Sequence, residues 1–428
     1  MIQDALDEAI VEAGTSGNMV VLLVDKGRET LVERGAGHGG AAPAEQYYQL
    51  GSISKFVTAA ACLVLAEQGD LPLDEPMRFV DHLIPRYLGQ RVALTPRQVL
   101  HHVTGLNVRS IPGYPRDENV PTVAGIISGE GRSPALAFTG IPTGRVAYCS
   151  GAFALLQEEL DRGRGPAAAL PDAIRAISPG TAVLTDTLPG AMSPLLAKGF
   201  IHPAIPVPYG SLHYPETCAG GFWARPADLM ALLVDLAARL RGGGDGGVSG
   251  RIRGELLSRA LHPKMAMSVL VDEDREGRTY YHHQGAAAGF TTEFASYPQE
   301  DVHIVAMASA AVTPPELRTV VKQALAASSV GTPAPSWSGL PPKSTTPADH
   351  RTEDTGSYAG DSLWAEVAAD VATVRTRSGF EIELRRTAAH VYAAGTEQYP
   401  RCVIDGDRMR FGDGSRLYRL SRSSAPGS

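Results

Sequence analysis

LGSISKFVTAAACLVLAEQGDLPLDE (residues 50–75) places Ser52 and Lys55 three residues apart at the head of a long apolar run. The apolar residues predict a buried helix from Ser52 to Gln68, and Gly69 predicts its end. Because residues three apart share one face of a helix, the serine and lysine side chains are expected to lie one turn from each other. The stretch therefore predicts a serine and a lysine meeting at the start of a buried helix.

This pair has two interpretations. Free backbone N–H groups at a helix start favour negative charge, so a serine there is easier to deprotonate, and a buried lysine can act as the base. Alternatively, Ser52 caps the helix and Lys55 extends to solvent. The position of the pair, directly after two predicted strands and at the start of the apolar helix, favours a nucleophile with its base.

Composition limits the function classes. The chain has 428 residues, 43% of them hydrophobic and 20% charged, which is ordinary for a soluble globular protein with two or three domains. The net charge of -7 argues against nucleic acid or an anionic membrane as a partner. The N-terminus lacks the basic and apolar regions of a signal peptide, and the four cysteines are scattered without a C-x-x-C. These features predict a cytoplasmic protein with reduced thiols.

The hydrophobic pattern predicts an α+β fold for residues 1–330. Strands are expected at both ends of this region and short helices in a lobe over about 75–260, which together favour one antiparallel sheet with helices and an inserted helical lobe. The individual predictions are a helix over 2–13, strands over 18–25 and 29–34 joined by a turn at Lys26-Gly27, a loop over 242–247, three strands within 279–310, and a helix near 314–327.

The C-terminal part has a different composition. Residues 331–352 are rich in Pro, Ser and Thr and predict a linker. Residues 353–428 contain short alternating strands without a clear helix, which predicts a small antiparallel β-barrel.

Other motifs give no cofactor or metal site. GAGHGG (35–40) has the spacing of a dinucleotide-binding loop, but no helix is predicted after it to hold a pyrophosphate. His101-His102 and His282-His283 are adjacent pairs whose side chains point apart, so neither pair is a ready metal site. We expect no cofactor.

Five stretches, taken in order, resemble one family. They are GSISKFVTAA (51–60), LTPRQVLHHVTGL (94–106), VAYCSGAFALLQEEL (146–160), CAGGFWARPADLMALL (218–233) and HHQGAAAGFTTEFASYPQEDVHIVAMASA (282–310). The set resembles the serine β-lactamases and penicillin-binding proteins, specifically their class C-like branch of esterases, D-amino-acid peptidases and transacylases, over about residues 1–330. GSYAG (356–360) opens a region that resembles the lipocalin-like domain of some members.

The resemblance implies the roles of the site residues. Ser52 would attack an ester or amide carbonyl, Lys55 would take its proton, and the Tyr148 hydroxyl would shuttle protons. His283 would face Tyr148. The backbone N–H groups of Ser52 and Ala286 would form the oxyanion hole. The remaining residues expected to contact substrate are Ser150, Gln284, Gly285, Phe222 and Trp223.

Two departures from the family pattern bear on the substrate. Ser150 replaces an asparagine whose amide would hold the substrate's amide carbonyl, and His283 replaces a lysine whose charge would meet a substrate carboxylate. No E-x-x-L-N stretch is present to activate a deacylating water. We therefore expect an acyl group to pass from a small-molecule or peptidyl ester (or amide) donor to an amine or water, with amide-forming transfer in natural-product, including antibiotic, biosynthesis favoured.

Three alternatives remain open at this point. The first is a penicillin-binding-protein-type thioesterase or peptide cyclase, and the second is a β-lactamase or D-amino-acid peptidase. The third is a non-catalytic ligand-binding protein on the same fold. Under each alternative the ligands are small molecules or peptides, with no nucleic acid and no membrane as a partner.

Overall fold

The computed structural model describes residues 17–87, 91–108, 111–138, 146–164, 173–174, 177, 195–202, 205–241, 255–257, 265–309, 312–331, 356–359, 363–368, 370–376, 381–388, 391–393, 401–405, 408–412 and 417–423. The chain divides into two compact units, Met1–Ala334 and Pro335–Ser428. The predicted helix over 2–13, the loop over 242–247 and the linker residues 332–352 lie outside the described residues.

Ten strands are described in the first unit: β1 (Asn18–Asp25), β2 (Arg28–Arg34), β3 (Tyr48–Gln49), β4 (Phe200–His202), β5 (Ile205–Pro206), β6 (Trp223–Ala224), β7 (Leu270–Glu273), β8 (Thr279–Ala287), β9 (Phe290–Tyr297) and β10 (Val302–Ser309). Six of them form one antiparallel sheet in the order β2-β1-β10-β9-β8-β7. The remaining four form two small antiparallel pairs, β3 with β6 and β4 with β5. The predicted antiparallel sheet is confirmed.

The described α-helices of this unit are α1 (Ile53–Glu67), α2 (Pro96–Leu100), α3 (Val123–Ile127), α4 (Gly151–Arg164), α5 (Pro226–Leu240) and α6 (Pro314–Ala326). A π-helix spans Thr217–Gly221, and 3-10 turns span Pro43–Glu45 and Pro208–Gly210. All except α6 lie between β2 and β7 in the chain, so the sheet carries the predicted helical insertion. No helix in the described ranges is long and apolar enough to cross a membrane.

Both faces of the sheet are buried, which explains why β1 is apolar at consecutive positions. Val20 and Leu22 belong to the core shared with α1 and α5, whereas Met19, Val21 and Leu23 belong to the core shared with α6. Because successive side chains of a strand point to opposite faces, a strand between two helical layers needs apolar residues on both sides. The unit is therefore a three-layer arrangement.

The predicted hairpin between β1 and β2 is confirmed. Lys26 and Gly27 both have positive φ, 52° and 78°, which is the requirement of a two-residue type I′ turn. Asp25 pairs with Arg28, so β2 begins one residue before the predicted position.

The second unit is a closed antiparallel barrel of eight strands, as the alternating pattern predicts. Its strands are β11 (Gly356–Ala359), β12 (Leu363–Ala368), β13 (Val371–Thr376), β14 (Glu381–Ala388), β15 (Val391–Ala393), β16 (Arg401–Asp405), β17 (Arg408–Gly412) and β18 (Leu417–Ser423). Pairing of β11 with β18 closes the barrel. Its interior contains a separate apolar core that includes Tyr358, Leu384 and Tyr392. The resemblance to a lipocalin-like domain stays a prediction.

Candidate active site

The turn before α1 is fixed against the sheet. The Leu50 N–H donates to the Phe222 carbonyl (2.8 Å), and the Thr292 hydroxyl donates to the Leu50 carbonyl (3.0 Å). A side chain at Gly285 on β8 would overlap that same Leu50 carbonyl oxygen. The two backbones thus approach as closely as only glycine permits, and this contact sets the position of Ser52 at the N-cap of α1.

The predicted serine–lysine contact is present. Lys55 Nζ lies 3.2 Å from Ser52 Oγ and donates a second hydrogen bond, 2.7 Å long, to the Ala219 carbonyl. The Lys55 side chain is 0% exposed, so the alternative in which it extends to solvent is wrong. Among the residues that the structure describes, no carboxylate forms an ion pair with it.

The π-helix Thr217–Gly221 is attached to the same face of α1. The Thr58 hydroxyl donates to the Cys218 carbonyl (3.0 Å), and the Phe222 N–H donates to the Ser54 hydroxyl (3.2 Å). Together with the hydrogen bond from Lys55 to Ala219, these contacts join α1 to the segment by three hydrogen bonds. π-Helical turns are often found at functional sites, and here the turn provides the carbonyl that holds the lysine amine.

Tyr148 lies beside the lysine, just before α4. Lys55 Nζ is 5.0 Å from the Tyr148 ring centroid and 5.7 Å from that of Phe153, within the range of cation–π contact. The Tyr148 hydroxyl is buried and has no hydrogen-bond partner among the described residues, so it is not bonded to Ser52 or Lys55. Catalytic hydrogen bonds often tighten only when substrate binds. The phenol is close and its hydroxyl is uncommitted.

His283 faces Tyr148 from β8, at a centroid distance of 6.3 Å. Its Nδ1 lies 2.6 Å from the Gln284 carbonyl oxygen, and because a carbonyl only accepts, Nδ1 carries the hydrogen and Nε2 is the acceptor. Burial, assisted by the nearby charge of Lys55, lowers the pKa of His283 to about 3. The imidazole is therefore neutral near pH 7 and can accept a hydrogen bond at Nε2.

The edge of β8 is open beside Ser52. Strand β7 pairs with β8 only as far as His282, and no described strand pairs with the following residues on that side. A Cβ on Gly51 would come within 2.6 Å of both the nitrogen and the oxygen of Ala286, so those two polar groups face the Ser52 turn. The Ser52 N–H has no partner among the described hydrogen bonds. Both N–H groups of the expected oxyanion hole are thus at this edge.

Other residues expected to contact substrate are placed differently. Gln284 lies on the α6 face of β8, where its amide donates to Glu293 (2.6 Å) and to the Pro314 carbonyl (2.9 Å). Because neighbouring strand residues point to opposite faces, Gln284 points away from the face that carries His283.

Three further residues expected at the substrate are buried. Phe222 and Trp223 belong to the main apolar core, and the Trp223 ring packs edge-on against Phe290. Ser150, directly before α4, is 2% exposed. The Phe222 and Trp223 side chains are thus packed in the core. Ser150 is as buried as Lys55 and His283, and its contact with substrate stays a prediction, together with those of Gly285 and Ala286.

The structure also shows residues that sequence reasoning passed over. His102, noted only as half of an adjacent pair, stacks on Tyr148 with centroids 4.4 Å apart. Glu216 is 1% exposed, directly before the π-helix, and burial raises the pKa of its carboxyl to about 7, although a backbone hydrogen bond and the charge of Lys55 act in the opposite direction. His102 lies within LTPRQVLHHVTGL, and Glu216 lies two residues before CAGGFWARPADLMALL. Nothing in either local pattern indicated that these residues would lie near Tyr148 or Lys55.

Three of the cysteines are described by the structure. Cys62, Cys149 and Cys218 are buried and form no disulfide. Within the described ranges, no group of three His, Cys, Asp or Glu side chains is arranged to hold a metal ion. The chemically active groups at the open edge are a hydroxyl, an amine, a phenol and a neutral imidazole.

Comparison with known proteins agrees with this architecture. Residues 4–328 match the family model described as Beta-lactamase. SurE, crystallised with D-Leu, shares 17% identity with a TM-score of 0.63, over 99% of this chain and 98% of that one. The octameric penicillin-binding protein homologue from Pyrococcus abyssi shares 17% identity with a TM-score of 0.57, over 98% of each chain. The class C β-lactamase from Rhodobacter sphaeroides shares 19% identity with a TM-score of 0.57, over 76% of this chain and 97% of that one.

No curated protein matches the sequence significantly. The likeness to these structures establishes the fold, and the family match covers about three quarters of the chain, including Ser52, Lys55, Tyr148 and His283. The chain belongs to the β-lactamase family of serine hydrolases.

Proposed function

We propose that this protein is a serine acyltransferase that takes an acyl group from an ester or amide donor and passes it to an amine. The observation that carries the proposal is the 3.2 Å contact between Ser52 Oγ and the buried Lys55 Nζ beside the open edge of β8. A hydroxyl with an amine base in hydrogen-bond reach is the arrangement that nucleophilic catalysis requires.

The first step forms an acyl-enzyme. Lys55, in its neutral form, takes the Ser52 proton as Oγ bonds to the carbonyl carbon of the donor. The bond from that carbon to the leaving group then breaks, and the leaving group departs with a proton from Lys55 through the Tyr148 hydroxyl. The carbonyl oxygen, negatively charged in between, is held by the N–H groups of Ser52 and Ala286, and losing one such donor typically costs about 10²–10³ in rate.

The second step needs a base for the acceptor amine. The Tyr148 hydroxyl suits this role because it can pass the proton of the amine to Lys55, which is neutral again after the first step. His283 faces Tyr148 with a neutral imidazole, where a lysine would carry a permanent charge, and can accept a hydrogen bond from the phenol. As the amine nitrogen bonds to the acyl carbon, it gives up a proton, and the bond from that carbon to Ser52 Oγ breaks. Oγ takes from Lys55 the proton that the amine released. The product is an amide and the free enzyme.

Two observations bear on the substrate class. Ser150 is buried and lacks the planar amide of the family asparagine, which weakens the case for β-lactams or wall peptides. SurE, of similar fold over nearly the whole chain, was crystallised with D-Leu, so a D-amino acid is a reasonable first acceptor to test. We propose a small-molecule or peptidyl acyl donor in the cytoplasm, with a role in natural-product biosynthesis.

The test is the intact mass of the protein after mixing with an activated acyl ester, with and without added D-Leu amide, beside Ser52→Ala and Lys55→Met. We expect a single adduct in the wild type, none in Ser52→Ala, and adduct formation slowed by several orders of magnitude in Lys55→Met. L-Leu amide is the matched control for the acceptor.

The products distinguish the alternatives. Faster loss of the adduct with amine, yielding amide, supports transfer, whereas equal loss yielding free acid contradicts it and leaves an esterase. Cyclic product from a thioester-linked peptide would instead identify a peptide cyclase, and rapid hydrolysis of a β-lactam would identify a β-lactamase. A folded protein that forms no adduct would be a ligand-binding protein.

A further inference from the structure

His102 contacts three consecutive residues around Tyr148. Its carbonyl accepts a hydrogen bond from the Ala147 N–H (2.7 Å), and its Nδ1 accepts one from the Cys149 N–H (3.2 Å). Between these two bonds, its ring stacks on the Tyr148 ring with centroids 4.4 Å apart and planes inclined by 26°. One residue thus holds the backbone on both sides of Tyr148 and the ring of Tyr148 itself.

The backbone of His102 is adapted to this contact. It lies in the left-handed region, with φ of 56°, directly after the C-cap of α2 at His101. Such a conformation is uncommon for a residue other than glycine, and strain of this kind persists where surrounding contacts determine it. The side chain is fully buried, and its ring also lies 5.4 Å from that of Phe153, which neighbours Lys55.

The hydrogen bond from Cys149 fixes the protonation of the ring. Because Nδ1 accepts an N–H, the imidazole must be neutral with its hydrogen on Nε2, and protonation would set two N–H groups against each other. Burial lowers the pKa of His102 well below its usual value, and the nearby charge of Lys55 lowers it further. Nε2 has no partner among the described residues. The ring therefore serves as an acceptor and a stacking surface.

We propose that His102 is a positioning residue for acyl transfer, which holds the Tyr148 phenol beside Lys55 by clamping residues 147–149. The inference rests on the proposed function, because Tyr148 matters to it as the proton shuttle between Lys55 and the leaving group. Without the clamp, the ring and its uncommitted hydroxyl would sample other orientations. A proton relay loses rate steeply when a group is misplaced by about 1 Å.

Two substitutions separate the parts of the clamp. His102→Phe keeps a stacking ring and removes the acceptor, whereas His102→Asn keeps an acceptor, tolerates the left-handed backbone and removes the ring. His101→Asn is the matched control, since His101 is the adjacent residue and is also buried, yet it makes no described ring contact with Tyr148. We expect both His102 variants to lower kcat for Ser52 acylation by about 10- to 100-fold with KM little changed, and His101→Asn to affect only the unfolding temperature.

A double-mutant cycle tests whether His102 acts through Tyr148. In a Tyr148→Phe background, His102→Phe should produce little further loss of kcat, because the hydroxyl that it positions is already gone. A purely structural role predicts that the two losses multiply, and that result would overturn the inference. Wild-type kcat in both His102 variants would overturn it as well.

A second readout does not depend on activity. Amide hydrogen exchange over residues 146–150 should be faster in His102→Phe than in the wild type and unchanged in His101→Asn, because only the first variant removes the acceptor of the Cys149 N–H. If the wild type forms no acyl adduct, the proposed function fails, while the exchange result still reports on the clamp. Unchanged exchange in His102→Phe would show that no clamp exists.

Discussion

The peptide of Gly51, the residue before Ser52, lies directly against the peptide of Ala286 on β8. A Cβ built on Gly51 would come within 2.6 Å of the Ala286 nitrogen and oxygen, closer than real Cβ atoms approach any heavy atom. This contact joins the helix that carries the nucleophile to the strand that carries the second oxyanion donor. The spacing of the two N–H groups therefore depends on the absence of a side chain at residue 51.

Gly51→Ala should reduce acylation by at least about 10², because the methyl group would push Ala286 from its place and cost one oxyanion donor. Gly27→Ala is the matched control. Gly27 also has positive φ, 78°, but a Cβ there would meet nothing within 4 Å. Both variants should lose about 1 kcal/mol or more of stability from backbone strain, and only Gly51→Ala should lose acylation. Equal acylation rates in the two would contradict the role of this contact.

Tyr148→Phe should lower kcat for acyl transfer by at least tenfold while leaving KM and thermal stability nearly unchanged. The hydroxyl makes no hydrogen bond to the described residues, so its removal leaves no partner unsatisfied. The measurements are steady-state kinetics with an activated ester and the unfolding temperature. A large drop in unfolding temperature, or an unchanged kcat, would show that the hydroxyl serves the fold instead.

Gln284→Ala should destabilise the protein without slowing acylation. The Gln284 amide bonds Glu293, which is 3% exposed and also accepts from Arg318 (3.0 Å), so its loss leaves a buried carboxylate oxygen without a donor. Such a loss costs about 1–3 kcal/mol. His283→Ala, one residue away on the opposite face of β8, is expected to slow acylation and to leave stability nearly unchanged. The unfolding temperatures and acylation rates of the two variants test these expectations. Slow acylation in Gln284→Ala would contradict them and would support Gln284 as a substrate contact.

Glu216→Gln should change how stability depends on pH. Between its ordinary value of 4.5 and its raised pKa of about 7, the buried carboxyl keeps in the folded state a proton that the unfolded chain releases. Stability of the wild type therefore falls as pH rises through this window, by roughly 3 kcal/mol in total. Glutamine, an uncharged isostere, lacks that slope.

The measurement for Glu216 is the unfolding temperature of wild type and Glu216→Gln at pH 5 and pH 8. The variant should gain on the wild type as pH rises, whereas Glu29→Gln, at an exposed position of β2, should run parallel to it. Parallel curves for Glu216→Gln would show that the carboxyl is not held neutral by burial.

Local patterns were sufficient for the fold elements. The β1–β2 hairpin follows from Lys26-Gly27 between two strand-forming runs, and the bounds of α1 follow from a continuous apolar stretch that ends at Gly69. The contact of Ser52 with Lys55 follows as well, because a spacing of three residues on a helix fixes it whatever surrounds the helix. The burial of that lysine also followed from its apolar neighbours.

The sequence by itself thus determined the sheet, the helical insertion, the C-terminal barrel and the pairing of Ser52 with Lys55, since each depends on the periodicity of neighbouring residues. Only the tertiary structure decided that Gln284 points to α6, that Trp223 is core, and that His102 clamps Tyr148. These contacts join residues from 9 to 67 positions apart along the chain, the longest being that of Trp223 with Phe290. Their geometry depends on how separate segments pack against one another, which no local pattern specifies.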